Sequence, residues 1–144
     1  MNFVSQILKD KGEKIWSVAP RETVYKALQI MSDQNLGALL VIDQRGVVGI
    51  FSERDYARNA ILKGKISKTT TVSELMTKKV LYVDPGTSVE DCVALMTEKR
   101  IRHLPVMENK KLVGLVTVGD VLQQFIEDQK FEIQELERYI HAEC

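Results

Sequence analysis

Residues 47–55, Val-Val-Gly-Ile-Phe-Ser-Glu-Arg-Asp, return as residues 112–120, Leu-Val-Gly-Leu-Val-Thr-Val-Gly-Asp. Each stretch is an apolar run around a glycine, then a hydroxyl residue, then an aspartate three positions on. Outward from this pair, at the same offset of 65, Ile15–Ile61 lies on Val80–Ile126 without a gap. Val18 falls on Val83, Pro20 on Pro85, Val24 on Val89, Met31 on Met96, Val41 on Val106 and Ile61 on Ile126. The apolar positions agree along the whole stretch, which is the mark of an internal structural repeat. Upstream, Val4–Leu8 resembles Val72–Met76 at an offset of 68, and three extra residues near Lys11–Glu13 absorb the difference.

Each copy reads as one series of elements. A short helical turn (4–9 or 72–76) leads to an extended stretch (15–18 or 80–83) and a proline turn. A helix follows, with apolar residues at i, i+3, i+4 and i+7: Val24, Ala27, Leu28 and Met31, matched by Val89, Cys92, Val93 and Met96. Thr23 and Ser88 are its expected N-caps. Two apolar strands pair next, Ala38–Ile42 with Val47–Phe51 and Leu104–Met107 with Leu112–Val116. A second helix closes each copy, near 53–62 and 118–141. One copy cannot bury both faces of so small a sheet. The expected fold is therefore α/β (α+β), two pseudo-symmetric β-α-β-β-α repeats packed sheet to sheet. Residues 1–65 and 66–126 are the repeats, with 62–71 as linker, and 127–144 is a C-terminal helical extension. Along that extension Leu122, Phe125, Gln129, Ile133, Leu136 and Ile140 approach heptad spacing. This fits either a partner helix or an amphipathic helix lying on its own domain.

The bulk numbers narrow the function. Twenty basic and 20 acidic residues give a formal net charge of zero, so no broad electrostatic grip on nucleic acid or an anionic membrane is expected. No stretch reaches the roughly 20 apolar residues of a membrane span. Met1–Lys14 has no signal-peptide run, and a cytoplasmic protein is expected. Cys92 and Cys144 do not make a disulfide scaffold; Cys92 sits in a helical apolar pattern as a small core residue. With His103 and His141 as the sole histidines, no metal-ligand spacing exists. There is no nucleotide-binding glycine loop and no nucleophile with a spaced base, so no enzyme, catalytic residue or catalytic cofactor is expected.

Gly-Ile-Phe-Ser-Glu-Arg-Asp (49–55), Arg-His-Leu-Pro-Val (102–106), Val-Gly-Leu-Val-Thr-Val-Gly-Asp (113–120) and the order of elements together resemble a tandem cystathionine-β-synthase (CBS) domain pair, a Bateman module. The resemblance covers about Val4–Ile126. It implies pseudo-symmetric clefts for adenosine-type ligands such as AMP, ATP, NAD(H) or S-adenosylmethionine, homodimers formed through the CBS helices, and regulation of a partner enzyme. It also implies that the aspartate of one copy works with the strand ends of the other. Transferred residue by residue, Ser52, Arg54, Asp55 and Arg58 face Lys79, Val80, Leu81, Ile101, Arg102 and His103. Thr117 and Asp120 face Lys14, Ile15, Trp16, Leu36, Gly37 and Ala38. The first set gathers the basic residues and is expected to hold phosphate more tightly.

The chemistry suits a nucleotide. A helix start offers unpaired N–H groups to phosphate, and a carboxylate there can accept from both ribose hydroxyls. The same Ser/Thr-x-x-Asp spacing is also close to a capping box, in which the acid holds its own helix start. Trp16 fits a stacked base or a core position. Arg102 and His103 fit a phosphate site or plain surface charge. Leu40 replaces Pro105 and Arg54 replaces Gly119 between copies, departures that bear on the strength of one site. The alternative function is a dimerisation module with no physiological ligand.

Overall fold

A computed structural model describes residues 2–12 and 14–142, with side chains described up to 140. Glu13, Cys144 and the side chain of His141 lie outside the described residues. The chain forms two compact units. One is Lys14–Leu81; the other joins the segment before it to the segment after it. We call them the middle and terminal units.

In the middle unit β1 (Ser17–Val18) pairs in parallel with β2 (Ala38–Asp43), which pairs antiparallel with β3 (Gly46–Ser52). α2 (Val24–Gln34) lies between β1 and β2 in sequence and starts where Thr23 accepts from the Lys26 N–H. Its buried face is Val24, Ala27 and Met31, with Leu28 packed beside them, as the periodicity predicts. β3 runs directly into α3 (Glu53–Tyr56), which widens into a π-helical turn over Ala57–Ile61. α4 (Val72–Leu75) completes the unit, with Val72 and Leu75 in the same core as Val41 and Phe51.

The terminal unit repeats this plan. α1 (Val4–Lys11) and α5 (Val89–Lys99) pack with β4 (His103–Glu108) and β5 (Lys111–Thr117), and α6 (Val118–Ala142) runs on from β5. Ser88 caps α5 by accepting from the Asp91 N–H. Both hairpins shift register at the same place, Val41/Ile42 and Val106/Met107. α2 and α5 both end on a left-handed residue, Asn35 (φ 55°) and Arg100 (φ 54°). Cys92 is fully buried in this core, and burial, then the Asp91 charge, pushes its thiol up to about 11. It is a protonated packing residue.

Three features depart from the sequence expectation. Residues 80–83 form no strand matching β1; Val83 alone makes a parallel bridge to Val106. Where Leu40 pairs with Ser17, the equivalent residue is Pro105, which has no N–H to give a ladder. Secondly, residues 62–71 read as a linker, yet the later part is built into the middle unit. The Tyr25 N–H donates to the Ser67 carbonyl and the Val24 N–H to the Thr70 carbonyl, and Thr70 is buried. Thirdly, the compact units divide the chain differently from the sequence repeats at 1–65 and 66–126. The helix that leads each repeat packs in the unit of the other. α1 enters the terminal unit, where the Val4 N–H donates to the Thr87 carbonyl and the Val89 N–H to the Asn2 carbonyl. α4 enters the middle unit, where the Val72 N–H donates to the Glu22 carbonyl.

Candidate functional site

Both repeated Ser/Thr-x-x-Asp motifs lie where a strand turns into a helix. In the middle unit Ser52 ends β3, and its Oγ accepts from the Asp55 N–H at 3.1 Å. Asp55 Oδ2 accepts in return from the Ser52 N–H and Oγ–H, each at 3.0 Å. Its Oδ1 accepts from Thr77 Oγ1 at 3.2 Å. The β2–β3 register sets Ala38 opposite Ser52, and the Gly37 carbonyl accepts from the Glu53 N–H. Gly37, Ala38, Ser52, Asp55 and Thr77 thus form one cluster. Nearby in sequence, Arg54 is half-buried on α3 and Arg58 is exposed on the π turn.

The terminal unit has the same geometry with different charge. Thr117 Oγ1 accepts from the Asp120 N–H at 3.1 Å, and Asp120 Oδ2 accepts from the Thr117 N–H at 3.0 Å. Lys11 Nζ, at the end of α1, reaches the same Oδ2 at 2.7 Å and the Leu115 carbonyl at 2.9 Å. Burial pushes the Asp120 carboxyl up, but the Lys11 ammonium and the Thr117 N–H outweigh it and hold the acid below its usual range. The β4–β5 register sets His103 opposite Thr117, and the Arg102 carbonyl accepts from the Val118 N–H. Arg102 is exposed, and Ile101 packs against the core.

Both aspartates therefore cap their own helices, the plainer reading of the spacing. Capping does not use up the carboxylate. A carboxylate accepts at about four lone-pair sites. Among the described residues Asp120 Oδ1 accepts no hydrogen bond, while Asp55 already accepts on both oxygens. The remaining predicted positions sit at the ends of the middle unit, except Leu36, which lies between α2 and β2. Lys14 Nζ lies 4.5 Å over the ring of Trp16, whose indole packs against the core, as does Leu36. Ile15 and Val80 are half-buried, and Lys79 and Leu81 are exposed on irregular chain.

Strand register gives a grouping within each repeat. Arg102 and His103 sit at the strand start beside Thr117 of their own repeat, and Gly37 and Ala38 beside Ser52 of theirs. Thr77 and Lys11, the groups that reach the two acids from elsewhere, escaped sequence reading. Lys11 falls among the three extra residues near the end of α1, so the repeat offers it no counterpart to signal a role.

The CBS domain family matches this chain twice, over residues 4–61 and 72–127, which bracket the two hairpins and the two capped aspartates. The chain belongs to the CBS-domain family. It is a tandem CBS pair, a regulatory module. It is 38% identical to CBSX3 of Arabidopsis thaliana, a CBS domain-containing protein designated mitochondrial, over 96% of this chain and 72% of that one. The fold matches a signal-transduction protein with CBS domains from Burkholderia ambifaria at TM-score 0.85 and 47% identity, covering 89% of this chain and 96% of that one. It also matches CBSX2, solved in complex with AMP, at TM-score 0.72 and 27% identity, covering 88% and 98%. Among the described residues, no helix of this CBS pair is long and apolar enough to cross a membrane, and no group of three or more His, Cys, Asp or Glu is placed to hold a metal ion.

Proposed function

We propose that this CBS pair binds an adenine nucleotide of the AMP, ATP or NAD(H) class with groups from both repeats, and relays its occupancy to a partner enzyme. The observation that carries this reading is the pair of matched helix starts, each offering a hydroxyl and a carboxylate. AMP in the related CBSX2 supports the ligand class. Asp55 in the middle unit and Asp120 in the terminal unit are the ribose acceptors, and Ile15, Trp16 and Leu36 in the one and Ile101 in the other are the apolar residues offered to the base.

The phosphate belongs with the Thr117 helix start. Arg102 and His103 lie beside it by register, Lys11 is bound to its aspartate, and α6 directs the positive end of a 25-residue helix there. The Ser52 start has Gly37 and Ala38 in the equivalent places. This reverses the ranking that the residue-by-residue transfer suggests. Lys11 can stay on Oδ2 while the ribose approaches Oδ1.

Relay requires that the nucleotide bind one arrangement of the module better than another, because equal affinity shifts nothing. A homodimer through the CBS helices is the surface at which such a change is read.

Titration calorimetry with AMP and adenosine tests the assignment. Asp120→Ala is expected to lose roughly tenfold to a hundredfold in AMP affinity, the worth of charge-assisted hydrogen bonds, and Asp55→Ala less. Arg102→Ala should weaken AMP while leaving adenosine unchanged. Equal losses from the two aspartates would overturn the phosphate assignment. A ligand at 100 times its Kd adds about 2.7 kcal/mol to stability. No thermal shift with any adenine nucleotide favours the second reading, a dimerisation module without a ligand.

A further inference from the structure

We infer that the distal half of α6 is a self-association element, pairing antiparallel with α6 of a second copy of this chain. The proximal half has its packing already: Val121, Gln124 and Asp128 are buried, and Phe125 packs against the core of the terminal unit. From Gln129 to Ile140 every residue is exposed. These twelve residues rise about 17 Å along the helix axis. They carry Phe131, Ile133, Leu136, Tyr139 and Ile140, exposed by 63, 54, 64, 67 and 60%. An isolated helix of this length is marginal in water, and in proteins packing of an apolar face supplies most helical stability.

The stripe itself specifies the occupant. Leu122, Ile126, Gln129, Ile133, Leu136 and Ile140 alternate spacings of four and three, a heptad seam with isoleucine at every a position and leucine at two of three d positions. Such a seam is complementary to another copy of itself. The flanking charges choose the direction. Lys130 and Glu137 occupy e positions, and Glu132 and Tyr139 occupy g positions. In a parallel in-register pair, g faces e of the second copy, so Glu132 meets Glu137 on both sides. In an antiparallel pair, e faces e and g faces g. Setting Ile133 against Leu136 of the second copy brings Lys130 against its Glu137, twice by symmetry, and Glu132 against its Tyr139. Among the described residues, Lys130 and Glu137 enter no ion pair within the chain, whereas Arg138 and Glu135 on the outer face are already paired at 3.1 Å. Antiparallel pairing satisfies both free charges and buries the exposed stripe.

The full chain tests this by sedimentation equilibrium across a dilution series, with hydrogen exchange read at residues 129–140. Protection there is expected to rise with protein concentration. Glu137→Lys, which sets lysine against lysine, should weaken association roughly tenfold, and Lys130→Glu likewise. The double charge swap K130E/E137K should restore it to within about threefold. Leu136→Asp should weaken it more than either charge variant. Tighter association of Glu137→Lys would mean parallel pairing and overturn the inference. So would protection that does not depend on concentration, because the segment would then be covered by its own chain. Association unmoved by all four variants would overturn it as well.

Discussion

Gly49 and Gly114 occupy equivalent places in β3 and β5, and the same long-range event demands both. A Cβ on Gly49 would lie 2.6 Å from Met76 Sδ and 2.9 Å from the Thr77 carbonyl oxygen; one on Gly114 would strike the end of the Leu8 side chain. Each glycine is the landing place of a leading helix, α4 on β3 and α1 on β5. The obstacle at Gly49 includes backbone, held by mutual hydrogen bonds between Ile50 and Thr77, while that at Gly114 is a flexible methyl. Gly49→Ala is therefore expected to cost about 1–3 kcal/mol and Gly114→Ala distinctly less, read from urea unfolding midpoints. The sequence displays these glycines as identities between repeats but hides the reason, because the partner lies on a distant helix. Lys11 is hidden in the same way. Its ion pair with Asp120 is partly exposed, so Lys11→Met should cost only about 0.5–1 kcal/mol at pH 7. Asp120 is held below its ordinary value, so this contribution is complete above the unfolded carboxyl range near pH 4 and disappears as the pH falls through the lowered folded value. The two unfolding curves should draw together as the pH falls below about 4 and converge once it is below that lowered value. A gap that persists there would show that Lys11 acts through packing.

At the scale of elements, local rules made the chain legible. The helical faces of α2 and α5, their N-caps Thr23 and Ser88, and both hairpins lie where periodicity and capping place them. These features depend on residues within a turn or two, which is the range a single sequence can report. The irregular segments were less legible for physical reasons. Residues 80–83 copy the apolar character of 15–18, but Pro105 has no N–H to donate to them, so the ladder stops at the single Val83 bridge. The π turn after α3 inserts no residue relative to the other repeat, so alignment cannot reveal it. The helix ends carry a testable asymmetry. α2 closes on Asn35, a residue that tolerates the left-handed region, whereas α5 closes on Arg100, which does not. Arg100→Gly should stabilise the protein by about 0.5–1 kcal/mol, and Asn35→Ala should destabilise it. A thermal melt in which Arg100→Gly lowers the transition would indicate that the Arg100 side chain contributes more than its backbone strain costs.

At the scale of the molecule, repeat boundaries and folding units do not coincide. Each repeat surrenders its leading helix to the other unit, so Val4 and Ile7 complete the terminal core while Val72 and Leu75 complete the middle one. A cut at 65/66, where the repeats meet, therefore strips both cores at once. The piece 1–65 loses two buried aliphatic residues at α4 and keeps α1 with its apolar face unpacked; the piece 66–144 suffers the reverse. Fully burying such a side chain contributes about 1.5–3 kcal/mol. Two lost from each unit match much of the stability of a small domain, about 5–15 kcal/mol. Each fragment alone should show little cooperative unfolding by circular dichroism, and mixing them at equal concentration should restore the native transition. The circular order matters in the same way. A chain permuted to begin at Lys14 and to carry α1 after α6 keeps the middle unit continuous and should fold, provided the joining linker lets α1 return to β5. If the separate fragments each melt cooperatively, the crossed helices are ornaments on two self-sufficient repeats. The change of conformation proposed for nucleotide signalling would then have no shared elements through which one repeat could move the other.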